Sequence, residues 1–570
     1  MRNKQGGRYL LIALPLIFLF LFFYLPLLLV FVEGAALSGG VNVSGDSTEK
    51  AVWNVIAILK SPYYLKVISF TAFQALISTV FALAAGLPGS YILGRYNFPG
   101  KKVVKSLTTI PFVLPSILVV LGFVLFFGNN GHFNHMLMGL FNLKDPPLKI
   151  LYSFKAIILA HGFYNFPIVM RMLSSAWENI SRSQNEASKS LGAGNFFRFR
   201  TVTLHRLMPA LLSAASLVFL FCFMSFAVIL VLGGGPRYST IEVEIYRLAR
   251  FSLDFPQAAS LGLIGTLFSM GLLSINLILQ KRASVPPLGR GERIEPAKLL
   301  GGGKSKRKIT PGGFLIVVYL VIAAVILLGP LLSVLVNSFQ HKVSRMGETS
   351  WTLKWYSQLF TLGSKGNSGL AVRNSLVFGL LTILTALPLG TLIAFRTYRG
   401  GFLRSRIAEV LYMLPMGVSP VILGLGYLKM LPSLPEAVHG SWIVIVGAHT
   451  VIAYPFVIRA VSGALGAVPP SLRQAAASLG AGPVRVLFTI DLPLIKTGLL
   501  TGGAFAFALS LGEINATLLV ADRSQITIPL AMYRLIGSYN FYSACVLGAI
   551  LMILCGAAFF IIDTFQEKTI

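Results

Sequence analysis

A stretch of 27 residues occurs twice in this chain, and the two copies keep register at a separation of 288 positions. The first runs Ser183-Gln-Asn-Glu186-Ala187-Ser-Lys-Ser-Leu-Gly192-Ala-Gly194 and on through His205 to Pro209. The second runs Ser471-Leu-Arg-Gln474-Ala475-Ala-Ala-Ser-Leu-Gly480-Ala-Gly482 and on to Leu492-Pro493. A polar segment duplicated at this distance restricts the fold to two like halves. Each copy opens on Ser-x-x-Glu or Ser-x-x-Gln, the pattern of a capping box, and closes on Leu-Gly, where a left-handed residue stops a helix. The pattern predicts a helix of about two turns in a polar loop.

Composition puts these loops on a membrane protein. Hydrophobic residues make up 55% of 570 and charged ones 12%, too apolar a balance for a soluble surface. Apolar runs of about 20 residues, the length that crosses a bilayer as a helix, recur along the chain. They predict twelve spans, near 9–32, 67–94, 106–128, 150–172, 208–232, 256–280, 313–337, 372–396, 407–430, 441–463, 495–520 and 541–563. The net charge of +29 is spread over alternate loops rather than gathered in one patch, which argues against nucleic acid as a partner. Arg2, Lys4 and Arg8, then Arg95 to Lys105, Arg171 to Arg206, and Lys281 to Lys308 fall on one side of this topology. The positive-inside rule makes that side cytoplasmic, and with it both termini and both repeated helices. The apolar run from Leu10 to Val32 is too long for a secretory signal and reads as a retained anchor. Cys222, Cys545 and Cys555 all fall within spans and read as packing residues rather than a disulfide framework.

The duplication extends beyond the loop. Leu25-Pro26 matches Gly329-Pro330 at an offset of 304, Leu87-Pro88 and Leu114-Pro115 match Leu387-Pro388 and Leu414-Pro415 at 300, and Ala160-His161 and Pro167 match Ala448-His449 and Pro455 at 288. The chain therefore divides into a six-span repeat at 1–280, a basic linker with Gly and Pro at 281–312, and a second six-span repeat at 313–570 in parallel orientation. A further pair lies on the outer face: Thr240, Tyr246 and Arg247 match Thr527, Tyr533 and Arg534 at 287. Two amphipathic copies there suggest a two-lobed docking surface; helices anchored at the interface by Tyr and Arg are the alternative.

Several chemistries are absent. Gly303-Lys304-Ser305 imitates the end of a phosphate loop, but Lys298 stands where its first glycine belongs. No His, Cys and carboxylate cluster has metal-ligand spacing, and no Ser, His and Asp set suggests hydrolysis. His161 and His449 sit at equivalent intramembrane places and favour a structural hydrogen bond. Neither a cofactor nor an energy source is encoded.

A cytoplasmic Glu-Ala-Ala loop followed by Gly and then Leu-Pro characterises the membrane subunits of binding-protein-dependent ABC importers. Glu186-Ala187-Ser188 with Gly192, and Gln474-Ala475-Ala476 with Gly480, resemble it, with His205 in place of Pro and Gln474 in place of the acid. Twelve spans with two such loops resemble the fused permeases of thiamine and ferric-iron importers. The resemblance implies an all-α integral membrane protein of the type I importer permease fold in the cytoplasmic (inner) membrane. It also implies a cytoplasmic ATP-binding subunit, acting as a dimer, seated on Ser183, Glu186, Ala187, Gly192, Ser471, Gln474, Ala475 and Gly480, and an extracytoplasmic binding protein that delivers a small solute.

Glu513 falls within the eleventh span, where a carboxylate is costly. A pore or gate role and a packing role both remain open for it and for its counterpart Ser225. The segment from Ser225-Phe-Ala through Gly-Gly-Gly-Pro236 to Thr240-Ile-Glu242-Val-Glu244 looks most like thiamine permeases, with ferric iron the alternative solute. A twelve-span secondary transporter would also show parallel halves. The loop after the second span lacks the Asp of the major facilitator pattern, and such a carrier has no need of twin capped helices. A membrane enzyme is disfavoured by the missing catalytic residues.

Overall fold

The computed structural model describes residues 13–36, 54–108, 114–283, 297–298, 311–342, 349–360, 368–399, 411–435 and 442–567. Most of the linker expected at 281–312 lies outside them. Ten helices are long and apolar enough to cross a membrane, and twelve spans result when each of two bent pairs is taken as one. The first half contributes Ala13–Ala35, Pro62–Arg95, Ser116–Phe141, Phe154–Glu178, Asn195–Phe223 and Phe255–Gln280. The second contributes Gly313–Ser338, Ser368–Tyr398, the pair Leu411–Gly417 and Pro420–Ser433, Trp442–Ala467, the pair Val484–Leu494 and Lys496–Gly512, and Phe541–Phe560. Pro88, Pro167, Pro209, Pro330, Pro388 and Pro455 lie inside helices, as neighbouring helices in a membrane allow.

Three spans depart from the continuous helices the apolar runs predict. The ninth turns by 103° between Gly417 and Pro420, where a proline without an N–H starts a new helix capped by the Ser419 hydroxyl. The fifth stops at Phe223 and restarts as Ala227–Leu232; the eleventh stops at Gly512 and restarts as Asn515–Val520. Hydropathy is blind to these breaks because the flanking residues stay apolar.

The halves are exchanged at their first spans. The first span packs on the ninth, and the seventh on the third, so each half holds the other. Two glycines set the distance. A Cβ at Gly426 would lie 2.5 Å from the Pro26 carbonyl oxygen, and one at Gly122 would lie 2.7 Å from the Pro330 oxygen. Only glycine at 426 and 122 lets the opposing backbone come this close, and Pro26, which has no N–H to give the Phe22 carbonyl, leaves that carbonyl free for a partner in the other half. Polar clasps follow the same route. Tyr427 donates to the Phe22 carbonyl (2.5 Å), Tyr24 to that of Leu411 (3.0 Å) and Tyr319 to that of Ala85 (2.7 Å), while Lys429 pairs with Glu33 at 3.2 Å.

These contacts also correct the repeat. Gly122 and Gly426 differ by 304, as do Pro26 and Pro330. Gly86 and Gly390, again 304 apart, press on Val169 and Val457 of the fourth and tenth spans. The offset is thus 304 through three spans, 288 from the fourth span to the broken fifth and 287 at the short helices beyond it, and the Leu-Pro matches at 300 are one helical turn out of structural register. The true counterpart of Pro115 is Ser419, each at the N-terminal cap of the helix that follows.

Replacing Gly122 or Gly426 by Ala forces a methyl into a backbone carbonyl and is expected to cost about 1–3 kcal/mol. Gly139→Ala, with open space around it, serves as the control. Thermal unfolding in detergent should show lowered midpoints for the first two and an unchanged midpoint for the control.

Candidate functional site

The duplicated loops fold alike. Arg182–Ser190 and Pro470–Ser478 are short helices 288 residues apart, and each ends on a left-handed glycine, Gly192 at φ +78° and Gly480 at φ +79°. The Ala193 N–H bonds the Ser188 carbonyl and the Gly192 N–H bonds that of Lys189; Ala481 and Gly480 repeat this with Ala476 and Ala477. This is a Schellman closure in both copies. The expected capping boxes are not formed. The helices begin one residue before Ser183 and Ser471, after Ser181 and Pro469, and neither has a side-chain cap. Ser183 instead hydrogen-bonds Ser181 at 2.7 Å, while Glu186, Ala187, Gln474 and Ala475 lie in the helices.

Residues the motif did not flag stand out here. Leu191 is 86% exposed and Leu479 89%, one on each loop before the left-handed glycine, and Phe196, Phe197, Val484 and Phe488 extend the apolar surface. Both loops enter the next span through a π-turn, Phe199–Thr203 and Leu487–Asp491, again 288 apart. Such turns collect at functional places because they cost helix regularity. The second loop carries a lock that the first lacks. Arg473 Nε donates to the buried Asp491 carboxylate at 2.6 Å and its guanidinium lies over the Tyr398 ring, whereas the residue equivalent to Asp491 is Thr203.

Toward the other end, each half anchors its broken span through a histidine. His161 bonds Ser78 at 3.0 Å and Ser225 at 2.8 Å; His449 bonds Ser510 at 2.7 Å and Thr517 at 3.0 Å. Glu513 is buried beside the second break. Its oxygens accept the N–H groups of Ala516 (2.8 Å) and Thr517 (2.9 Å) and the Thr517 hydroxyl (2.5 Å), with His449 Nε2 at 3.5 Å. A carboxylate on the N-terminus of Asn515–Val520 meets both its free N–H groups and its dipole. Ser225, with no charge, offers its hydroxyl to His161 at the first break.

Beyond the breaks lie two short helices, Ile241–Arg247 and Ile528–Gly537. Their first N–H groups bond Thr71 (3.0 Å) and Ser375 (2.8 Å), a pair at the 304 offset. Thr240 and Thr527 are buried at their starts, Tyr246 is buried, and it faces Tyr533 of the other half. Burial, reinforced by Tyr533, raises the Tyr246 pKa. Of the six residues paired by sequence, only Arg247 and Arg534 are exposed. The helices thus meet at the seam between the halves.

Acidic residues gather there. Glu244 is buried but neutralised by Arg247, with Tyr63 at 3.0 Å and Ser239 at 3.3 Å. Glu242 receives one hydrogen bond, from the Ser419 hydroxyl of the other half at 2.6 Å. Burial raises its pKa to about 8, against the lowering pull of that bond. The seam ends in two strained turns: Leu253 (φ +54°) and Tyr539 (φ +59°) hold large exposed side chains in a conformation bulky residues avoid. Among the described residues no group of three or more His, Cys, Asp or Glu is placed to hold a metal.

Two like all-helical halves, built of helices long and apolar enough to cross a membrane, meet at a seam closed by paired short helices. Residues 86–285 and 386–570 both match the profile of the binding-protein-dependent transport system inner membrane component, and the chain belongs to that family. It is similar to the thiamine transport system permease protein ThiP of Escherichia coli strain K12, 26% identical over 532 residues that cover 91% of this chain and 93% of that one. ThiP of Haemophilus influenzae is 27% identical over 539 residues, 94% of each chain. The ferric transport system permease protein FbpB of Actinobacillus pleuropneumoniae is 28% identical over 538 residues, 92% of this chain and 74% of its own.

Two substitutions test the local accounts. Glu513→Leu should empty the helix cap and lower the amount of folded protein, while Glu513→Gln, which keeps an acceptor, should fold at near-normal yield; fluorescence-detected size exclusion reads both. Asp491→Ala should cost about 2–4 kcal/mol by stranding Arg473. Thr203→Ala in the first loop should stay within about 0.5 kcal/mol.

Proposed function

We propose that this chain is the translocating permease of an importer in which a dimeric ATP-binding subunit grips both duplicated loops and an extracytoplasmic binding protein delivers the solute. The observation that carries the reading is the pair of Schellman-closed helices, each presenting an exposed leucine at the same place. A short helix stopped by a left-handed glycine and joined to a span through a π-turn moves as one body with that span. Gripping both loops therefore translates closure around ATP into movement of the fifth and eleventh spans. The termini and both loops face the cytoplasm, in keeping with the basic loops. The six-span units at 1–280 and 313–570, joined by the linker at 281–312, act as the two moving bodies.

The solute is thiamine in this reading. Support comes from the coverage of the ThiP relatives, 93% and 94% of their lengths against 74% of FbpB. Ferric iron is the second reading, favoured by the 28% identity to FbpB. The binding protein seats on Arg247, Arg534, Leu253 and Tyr539, while Tyr246 and Tyr533 belong to the gate beneath it. Glu513 and Ser225 act as hinge anchors at the broken spans.

Leu191→Asp combined with Leu479→Asp should leave the chain inserted in the membrane but release the ATP-binding subunit during affinity purification. Retention of that subunit at wild-type stoichiometry would remove the loops from the docking role. Cysteines at 253 and 539 should crosslink to the loaded binding protein. Crosslinks confined to the linker would invert the topology.

A further inference from the structure

Four carboxylates are buried in the described residues: Glu242, Glu244, Asp491 and Glu513. Three have evident compensation. Glu244 has Arg247, Asp491 has Arg473, and Glu513 has a helix N-terminus with His449 beside it. Among the described residues Glu242, only 1% exposed, accepts from a single hydroxyl and forms no ion pair. The Ser419 hydroxyl accepts the Val421 N–H as the cap of its own helix while donating to Glu242, so the carboxyl is held by one capping hydroxyl with no cation beside it among the described residues, an arrangement that is costly to bury.

Its position is specific. Glu242 stands on Ile241–Arg247 of the first half, and its one partner, Ser419, starts Pro420–Met430 of the second. These helices pack directly on each other across the seam. The Glu242–Ser419 bond is therefore a direct polar contact between the halves. The symmetry-related contact, between Ser116–Phe127 and Ile528–Gly537, places Pro115 and Pro529 at the corresponding positions. Two prolines therefore serve at one contact where a carboxyl and a hydroxyl serve at the other. Sealing the seam does not call for a charge.

We infer that Glu242 is a charge-selecting residue of the outer gate that favours a cationic solute over an anionic one. The inference rests on the permease reading above and adds the residue that selects for the charge of its solute. While the gate is shut, burial favours the neutral carboxyl and Ser419 satisfies it. When the halves part, water reaches the group, it loses its proton to solvent, and the mouth of the path gains one negative charge. A cation leaving the binding protein is then attracted and an anion repelled, whereas in the shut gate no charge remains to trap the cation. Thiamine, through its thiazolium, and ferric ion share this chemistry.

The test uses the full complex with its native ATP-binding subunit and binding protein in proteoliposomes, assayed with radiolabelled thiamine and, separately, with ferric ion. Glu242→Gln keeps size and can still accept the Ser419 hydrogen bond but cannot ionise. Uptake of the transported cation per folded complex should fall by about tenfold, with ATP hydrolysis stimulated by the loaded binding protein changed less than about twofold. Glu242→Asp should recover most of the uptake. A residue that only seals the gate would behave differently: Gln would transport like the wild type, and Glu242→Leu would raise ATP hydrolysis without solute. Wild-type uptake by Glu242→Gln overturns the inference. A wild-type complex that moves neither cation on addition of ATP overturns the permease reading instead, and the two failures are distinct.

Discussion

The structure depends on two places where a helix backbone touches a glycine of the other half: Pro26 against Gly426, and Pro330 against Gly122. With no hydrophobic driving force between helices in lipid, close packing and the contacts it permits decide which spans associate. Exchange of the first spans makes two six-helix units into one body without merging their remaining helices. The second, fourth and fifth spans pack among themselves, and the eighth, tenth and eleventh do the same. The seam between them is then closed by short helices and side-chain bonds rather than by long packed surfaces. A seam of that kind can open while the molecule stays assembled.

The two halves are alike in frame and unlike in detail, and the differences fall at the loops, the broken spans and the seam. The second loop is locked by Arg473 and Asp491 while the first has Thr203, and the second break is held by a carboxylate while the first has Ser225. The gate carries Glu242 and Ser419 on one side and prolines on the other. One half thus carries the ion pair at its loop, and the other supplies the carboxyl that reaches across the seam. Charge and rigidity are distributed so that the path has a polarity its backbone symmetry does not provide.

The span number, the duplication and the loop helices were legible because each has a period or punctuation mark: apolar length, the 288 repeat, and the left-handed Leu-Gly. Sequence reasoning placed the helix starts wrongly because Ser183 and Ser471 fit a capping box in isolation, yet the chain enters each helix earlier. The breaks at 224–226 and 513–514 were hidden within apolar runs. What makes them stable is bonding from distant spans, through His161 and His449, which no local pattern reports. The offset of 300 arose from Leu-Pro pairs one turn apart, and only the glycine contacts restored 304. Glu242 was visible as a letter, but its isolation depends on Ser419, 177 positions away.

The central claim is that motion at the twin loops, driven by ATP in a separate subunit, opens the path. The direct measurement is solute accumulation in sealed proteoliposomes holding this chain, the ATP-binding subunit and the loaded binding protein, with ATP and an imposed proton or sodium gradient supplied in turn. The account predicts accumulation with ATP alone and none with either gradient alone. Accumulation driven by a gradient in vesicles lacking the ATP-binding subunit would contradict it.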